Sequence, residues 1–487
     1  MTFKPGRRTD ERILASDIFE GERTREKRAP AGTWREEARE VPVYRQCDVL
    51  VVGGGPSGTA AAVAAARLGA DVALLERYNH LGGLSTGGLV IWIDRMTDWE
   101  GRHVIRGIGE ELLDRLPLGA VAGPEPSEWG SRDPARAAHW SQRTAAYHGI
   151  VTWSPTVDPE RLKLASQEMV LEAGAHLVYH CWAAAPLMEG GAVRGAIFES
   201  KAGRQALRAK VVVDATGDGD LFARAGAAFE SDIEKEDIHH CMNTAWLFGG
   251  VDMDRWIEFK AGRPDEFSAF MARGREKLRY FERPFVSWRN DIALFMGPRQ
   301  SGFSALDPDD QTEVEIRSHR LMAEHLDFFR ANAPGFENAH LLLSAPQLGV
   351  RHSRRLVGLK KVTRAQWPTA MVFDDEIGVT PSVSPKFPNI SIPYGALVPE
   401  KLDGLLACGR HMSCDPNSHG FLREIPQCWI TGQAAGVGAA LAARDGVEPR
   451  AVDIGELQKL LLLQQGAYLR PAAARADGRI QEEEAAQ

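Results

Sequence analysis

The chain has 487 residues, 44% of them apolar and 25% charged, with a formal net charge of −8. That length is ample for a large core and for two or three structural units. The scattered, outnumbered Lys and Arg carry no nucleic-acid footprint, so neither nucleic acid nor a membrane surface is expected as a partner.

No window reaches the apolar length that spans a bilayer, and the N-terminal stretch lacks the apolar core of a signal peptide, so a cytoplasmic location is expected. The six cysteines are too few and too scattered for a disulfide scaffold, and none forms C-x-x-C, so reduced thiols are expected.

In chain order, residues 1–45 read as a charged N-terminal arm or, equally, a disordered leader. Asp48 to Val52 is a Val-rich run suited to a parallel strand buried on both faces. It empties into Gly53-Gly54-Gly55-Pro56-Ser57-Gly58, a G-x-G-x-x-G on Gly53, Gly55 and Gly58. Gly53 permits the tight turn, Gly55 a close approach of pyrophosphate to the backbone, and Gly58 close packing of helix on sheet. A helix over Thr59–Leu68 ends at Gly69, and its N-terminus offers free N–H groups to phosphate. Glu76 closes the next strand, Val72–Leu75, 18 residues beyond Gly58, where a carboxylate can accept ribose hydroxyls. An acid there argues against a 2′-phosphate and leaves FAD or NAD open. After Arg77, the pairs Gly82-Gly83 and Gly87-Gly88 bracket Leu84-Ser85-Thr86 and let backbone lie flat against something planar or phosphorylated.

The stretch from Trp99 to Ser154 is less readable, with a helix expected at 109–116. Asp158-Pro159 caps a helix running to Gly174, a strand covers His176–Cys181, and a hairpin of Val193–Phe198 with Gln205–Leu207 turns around Ala202-Gly203. A buried strand then ends at Asp214-Ala215-Thr216-Gly217-Asp218-Gly219-Asp220. It reads as a second place where backbone meets a nucleotide, or as a strand-to-helix turn capped by Asp218 or Asp220.

Residues 231–345, with helical runs such as Thr312–Ala331, read as an inserted substrate or cap region. Gly349–Gly358, GVRHSRRLVG, is either an exposed basic turn or an anion or flavin contact. The last strand, Gly404–Cys408, leads through Gly409-Arg410 to a helix over Leu422–Arg444, whose Thr431-Gly432-Gln433-Ala434-Ala435-Gly436 suits close packing on the sheet or the first helix. A charged tail, 471–487, is expected to be disordered. Adjacent His239-His240-Cys241 make a poor metal set, so no metal is expected.

These motifs together resemble FAD-dependent oxidoreductases of the glutathione-reductase-like flavoprotein fold, in the bacterial group distantly related to fumarate reductase and succinate dehydrogenase flavoproteins. The resemblance implies an α/β architecture with a Rossmann-like FAD-binding domain in two parts, 46–230 and 346–470, around an inserted mixed α+β cap at 231–345. It implies that Gly53, Gly55, Pro56, Ser57 and Gly58 hold the FAD pyrophosphate and Glu76 the ribose, with Arg77 beside it. Gly82, Gly83, Leu84, Ser85 and Thr86 then pass the ribityl chain and flavin, with Ala183 near adenine. Ala215, Thr216, Gly217, Gly409, Arg410, Phe421 and Leu422 complete the FAD set. His80 does not match the covalent-flavin spacing, so noncovalent FAD is expected. No second G-x-G-x-x-G follows, and no dithiol pair, so neither a built-in NAD(P)H domain nor a dithiol relay is expected.

The resulting expectation is an FAD-dependent oxidoreductase, a dehydrogenase or oxidase at a C–H bond of a small-molecule substrate, with His419 as proton acceptor and Arg423 beside the flavin. Two alternatives stand with it: a reductase of an activated C=C bond with Arg423 as proton donor, and a flavoprotein that uses FAD structurally or as a sensor within a complex. The electron acceptor (oxygen, quinone or protein) and the oligomeric state are left open.

Overall fold

The computed structural model describes residues 3–4, 18–20, 31–231 and 241–471. The expected tail after residue 471, together with His239 and His240, lies outside the described residues.

The organising layer is a seven-stranded sheet. Its strands are β1 (Val43–Val52), β2 (Val72–Leu75), β3 (His176–Val178), β4 (Trp182–Glu189), β5 (Ala192–Ser200), β6 (Gly203–Asp214) and β7 (Leu405–Ala407). The order is β4-β5-β6-β1-β2-β3, with β7 on the C-terminal half of β6. The expected separate strands around 205–213 are one long strand with two kinds of partner. Its first half pairs antiparallel with β5, as Gln205 with Phe198, and its second half pairs parallel with β7, as Val213 with Leu406. Both halves lie parallel to β1.

The apolar run of β1 is buried on both faces. Val49 and Val51 enter the core that holds the long helices, and Leu50 and Val52 enter a second core with Phe198, Phe222 and Leu405. On the first face lie α1 (Pro56–Arg67), α2 (Pro159–Glu172) and, from the far end of the chain, α5 (Ile425–Asp445). The small residues of α5 meet α1 directly: a Cβ on Gly432 would stand 2.1 Å from Ser57 O, and one on Gly436 2.2 Å from Ala61 O. Of the two surfaces open in the sequence, these glycines therefore face the first helix.

The inserted region builds an antiparallel sheet in the order 285–286, 292–295, 246–249, 340–344. Its core is aromatic, with Trp246, Trp256, Phe270, Phe295 and Phe329. The long helix α3 (Pro308–Asn332) backs it, capped by Asp307, which accepts from the Asp309 N–H (3.0 Å). A second small sheet joins Ile18–Glu20, Arg299–Ser301, Cys241–Asn243 and Gly349–Val350. Backbone pairing thus ties part of the arm and the start of the return segment to the insert, across the expected division at 345.

Three expectations shift. The first helix begins at Pro56 rather than Thr59, because Pro suits the first helical position. The helix after Trp99 covers Ile108–Asp114. The expected helix over 422–444 is two helices, α4 (Pro416–Leu422) and α5, broken at Arg423-Glu424. Pro426 causes the break: its ring cannot share a continuous helix with the Leu422 carbonyl, and Glu424 turns extended (φ −68°, ψ 162°) to start α5 afresh.

Candidate active site

The C-terminal ends of β1, β2 and β6 meet at one edge, and a cavity opens there. Gly53 has φ +99°, and a Cβ on it would stand 2.5 Å from Ala215 O. A Cβ on Gly58 would fall 1.7 Å from Gly53 O, whereas one on Gly55 would stand in open space at the cavity wall. The three glycines therefore have three separate reasons to lack a side chain. Gly83 continues the wall: with φ +49°, its Cβ would lie 2.8 Å from Gly55 Cα, so the two glycine stretches touch.

Glu76 closes β2 and is 6% exposed. The Gly54 N–H donates to its Oε2 (2.6 Å) and the Tyr78 N–H to its Oε1 (2.8 Å). Burial pushes this carboxyl up, against the pull of those two donors. Each carboxylate oxygen keeps acceptor capacity beyond these bonds, and Glu76 lines the cavity. Arg77 lies over the Trp182 ring (5.0 Å), and Trp182 and Ala183 line the same end.

The facing wall is Ala215-Thr216-Gly217. Asp214 is fully buried and organises it: its Oδ1 accepts from the Thr216 N–H (3.1 Å) and hydroxyl (2.7 Å), and its Oδ2 from the Leu221 (3.0 Å) and Phe222 (2.9 Å) amides. The short helix Asp220–Arg224 is thus held by Asp214, not by Asp218 or Asp220. Asp218 instead pairs with Arg410 (2.9 Å) and accepts from the Ser353 hydroxyl (2.6 Å).

Of the expected cofactor residues, Gly53, Gly55, Pro56, Ser57, Glu76, Arg77, Gly83, Leu84, Ala183, Ala215, Thr216, Gly217 and Arg410 line this cavity. Gly58, Gly82, Ser85, Thr86, Gly409, Phe421 and Leu422 do not, and their contacts are with the protein. The Ser85 hydroxyl donates to Gly82 O (2.7 Å) and that of Thr86 to Leu81 O (2.6 Å), which closes the turn. Gly409 (φ +94°) makes room for Ser57 Oγ, 2.6 Å from where its Cβ would be. Phe421 packs in the core, edge-on to Trp367 (5.3 Å). Ile425 and Cys428, in the first turn of α5, line the cavity unforeseen, because the Pro426 break moved the helix start.

A second cavity of about 420 Å³ adjoins the first, and the two share Leu84, Arg410, Arg423 and Ile425. Its apolar wall includes Val90, Trp92, Trp99, Tyr147, Phe285 and Met296, and its polar wall includes Asp94, Arg95, His148, Arg299, Arg351 and Glu424. Arg95 lies over the Trp99 ring (4.4 Å), and its Nη1 donates to Ser382 O (2.7 Å). Thr144 and His148 hold positive φ (+62° and +51°) at this wall, where Trp92 Nε1 donates to Thr144 O (3.0 Å). This 144–148 segment carries no motif, so its part in the site had no sequence signal.

The two catalytic candidates separate. Arg423 lines both cavities, 3.0 Å from Glu424. His419 lines neither: it is 1% exposed, with Nε2 donating to the Arg410 carbonyl (2.9 Å) and its ring edge-on to His352 (4.7 Å). The 349–358 stretch is no exposed basic turn. His352, Ser353 and Arg355 are buried, and Arg355 donates to Cys414 O (3.0 Å) and His352 Nε2 (2.8 Å).

Open backbone at Gly55, an acid at the end of β2, and the N-termini of α1 and α5 at one cavity suit a dinucleotide that carries a charged pyrophosphate. Among the described residues no helix is long and apolar enough to cross a membrane.

The chain is 30% identical over 217 residues to the digeranylgeranylglycerophospholipid reductase of Methanoculleus marisnigri, a match covering 42% of this chain and 47% of that protein. It therefore spans about half the length of the curated reductases it matches. Among solved structures it resembles a geranylgeranyl bacteriochlorophyll reductase-like protein from Thermoplasma acidophilum (TM-score 0.46, 16% identity, 86% of this chain and 83% of that one). It also resembles the glycine oxidase of Bacillus cereus (TM-score 0.39, 14% identity, 83% and 96%). Residues 48–461 match the FAD dependent oxidoreductase family: the chain belongs to it, as an α/β enzyme of Rossmann-like fold whose cofactor is FAD.

Proposed function

We propose that the protein transfers a hydride between noncovalently held FAD in the first cavity and a small organic substrate in the second, as a dehydrogenase or oxidase at a C–H bond. The observation that carries this reading is the wall shared by the two cavities at Leu84, Arg410, Arg423 and Ile425. Bound there, FAD supplies hydride acceptance or donation.

The residues divide that work. The Gly53–Gly58 turn with the N-terminus of α1 holds the pyrophosphate, Glu76 the ribose, and Arg77 with Trp182 and Ala183 the adenine end. Gly83, Leu84, Ala215, Thr216, Gly217 and Arg410 flank the rest. Arg423 and the N-terminus of the 21-residue α5 place positive charge where the ring system gains negative charge on reduction. A proton leaving the substrate needs a base inside the second cavity. His148, the one imidazole in its wall, takes that role in place of His419. Gly58, Gly82, Ser85, Thr86, Gly409, Phe421 and Leu422 act by shaping the backbone behind these groups. A cytoplasmic location belongs to the same reading.

A second reading, reduction of an activated C=C bond, is favoured by the reductase names of the curated relatives. In it Arg423, charged at any working pH, holds the activating group of the substrate.

Anaerobic flavin spectroscopy separates the readings. Bleaching of the oxidised protein by a C–H donor supports the first, and reoxidation of the reduced protein by activated alkenes alone supports the second. A yellow protein that does neither across a metabolite screen refutes both.

A further inference from the structure

The second cavity has the wall of a site for an amphipathic molecule. Its volume falls within the roughly 300–1,000 Å³ of small-molecule sites, and the indoles of Trp92 and Trp99, the phenol of Tyr147, the phenyl of Phe285 and the thioether of Met296 are in its wall. Most of its arginines already serve the fold. Arg95 pairs with Asp94 (3.6 Å), Arg410 with Asp218 (2.9 Å) and Arg423 with Glu424 (3.0 Å), and Arg299 is likewise engaged within the protein.

Arg351 differs. It is half-buried in the same wall, and it has no hydrogen-bond or ion-pair partner among the described residues. Its backbone is fixed from the preceding residues: Val350 pairs with Met242 and Gly349 with Asn243, and a Cβ on Gly349 would stand 2.7 Å from Asn243 O. A guanidinium is a permanent cation, so a half-buried one without a protein partner keeps an uncompensated charge until an anion arrives. Its planar fork matches carboxylate and phosphate oxygens two at a time.

We infer that Arg351 is the anion-recognising residue of the second cavity, and that the substrate carries a carboxylate or phosphate on an apolar or aromatic body. This rests on the reading of that cavity as the substrate site. The anion seats at Arg351, the body lies along Trp92, Trp99 and Phe285, and the reacting carbon is left toward the wall shared with the FAD cavity.

The test is calorimetric titration of the FAD-loaded protein with 3-phenylpropanoate, 2-phenylethyl phosphate and neutral 3-phenylpropanamide. A charge-assisted pair predicts that at least one anion binds roughly 10–100-fold more tightly than the amide. Arg351→Gln is expected to bring that anion to the level of the amide while amide affinity and FAD content stay unchanged. Arg351→Lys keeps the charge without the fork and retains part of the preference. The inference is overturned if the amide binds as well as both anions, if no anion binds at millimolar concentration, or if Arg351→Gln keeps the preference. The hydride reading fails separately: a protein that prefers the anions through Arg351 but shows no flavin redox chemistry refutes that reading and leaves the recognition of anions standing.

Discussion

Asp218 Oδ1 lies 2.9 Å from Arg410 Nη2, with both side chains largely buried, and Arg410 is one of the four residues shared by the two cavities. Burial alone would raise the Asp218 carboxyl, but the Arg410 charge and the Ser353 hydroxyl outweigh it and hold it below the usual range. A depressed carboxyl contributes stability that is complete above its unfolded value, about 3.9, and is lost as pH falls through the lower folded value. Asp218→Asn leaves a buried guanidinium without its counter-charge, an expected cost of about 3–5 kcal/mol. Equilibrium unfolding and FAD titration at neutral pH check this. Unchanged stability together with unchanged FAD affinity would mean that the pair does not hold the shared wall.

Gly55 and Gly58 are expected to fail differently. A Cβ on Gly55 meets nothing in the protein and stands in the cavity, so Gly55→Ala keeps the fold and lowers FAD affinity by one or more orders of magnitude. A Cβ on Gly58 stands 1.7 Å from Gly53 O, so Gly58→Ala moves α1 off the sheet and lowers stability by roughly 1–3 kcal/mol. Melting of the apoproteins beside FAD binding separates the two. A Gly55→Ala protein that binds FAD like the parent contradicts the assignment of the pyrophosphate to this turn.

The same contrast applies to His148, Arg423 and His419. His148→Gln is expected to slow flavin reduction by substrate roughly 10²–10⁴-fold. Arg423→Met is expected to slow it about 10²-fold with FAD retained. His419→Gln loses a buried hydrogen bond to the Arg410 carbonyl, with an expected loss of roughly 1–3 kcal/mol in stability and a reduction rate close to that of the parent protein. Single-turnover reduction with each variant is the measurement. A larger rate loss at His419 than at His148 would reverse the roles.

The cradle was legible because its constraints are local. The strand, the glycines at 53, 55 and 58 and the acid at 76 act within one stretch of chain, and each leaves a residue type that physics requires. The wall of the second cavity was not. Thr144, Tyr147 and His148 reach the second cavity through a hairpin without motif, and they meet Arg351 and Arg423 only through tertiary folding. His419 lies outside both cavities for a related reason. A single helix over 422–444 would set His419 just before its N-terminus, whereas Pro426 starts a new helix and α4 buries His419 against the Arg410 carbonyl.

His325 makes the stability of the insert depend on pH. It is fully buried, its Nδ1 donates to Leu321 O (2.7 Å), and its Nε2 accepts from the Glu282 N–H (2.9 Å), so the neutral ring satisfies both neighbours and the charged ring cannot. Burial drives its pKa down to about 4 from 6.5. A histidine depressed in the folded state contributes stability that is complete above its unfolded value and is lost as pH falls toward the folded one. The window therefore runs from 6.5 down to about 4. At about pH 5 the expected loss is roughly 2 kcal/mol, rising to roughly 3 at lower pH. Trp246, 5.3 Å from the ring, reports on this core by fluorescence during urea unfolding at neutral pH and at about pH 5. His325→Phe isolates the histidine from the buried carboxyl of Glu282. It is expected to lower stability at neutral pH through the orphaned amide, by about 1–3 kcal/mol, and to flatten the acid limb. An equally steep limb in that variant would move the dependence onto Glu282.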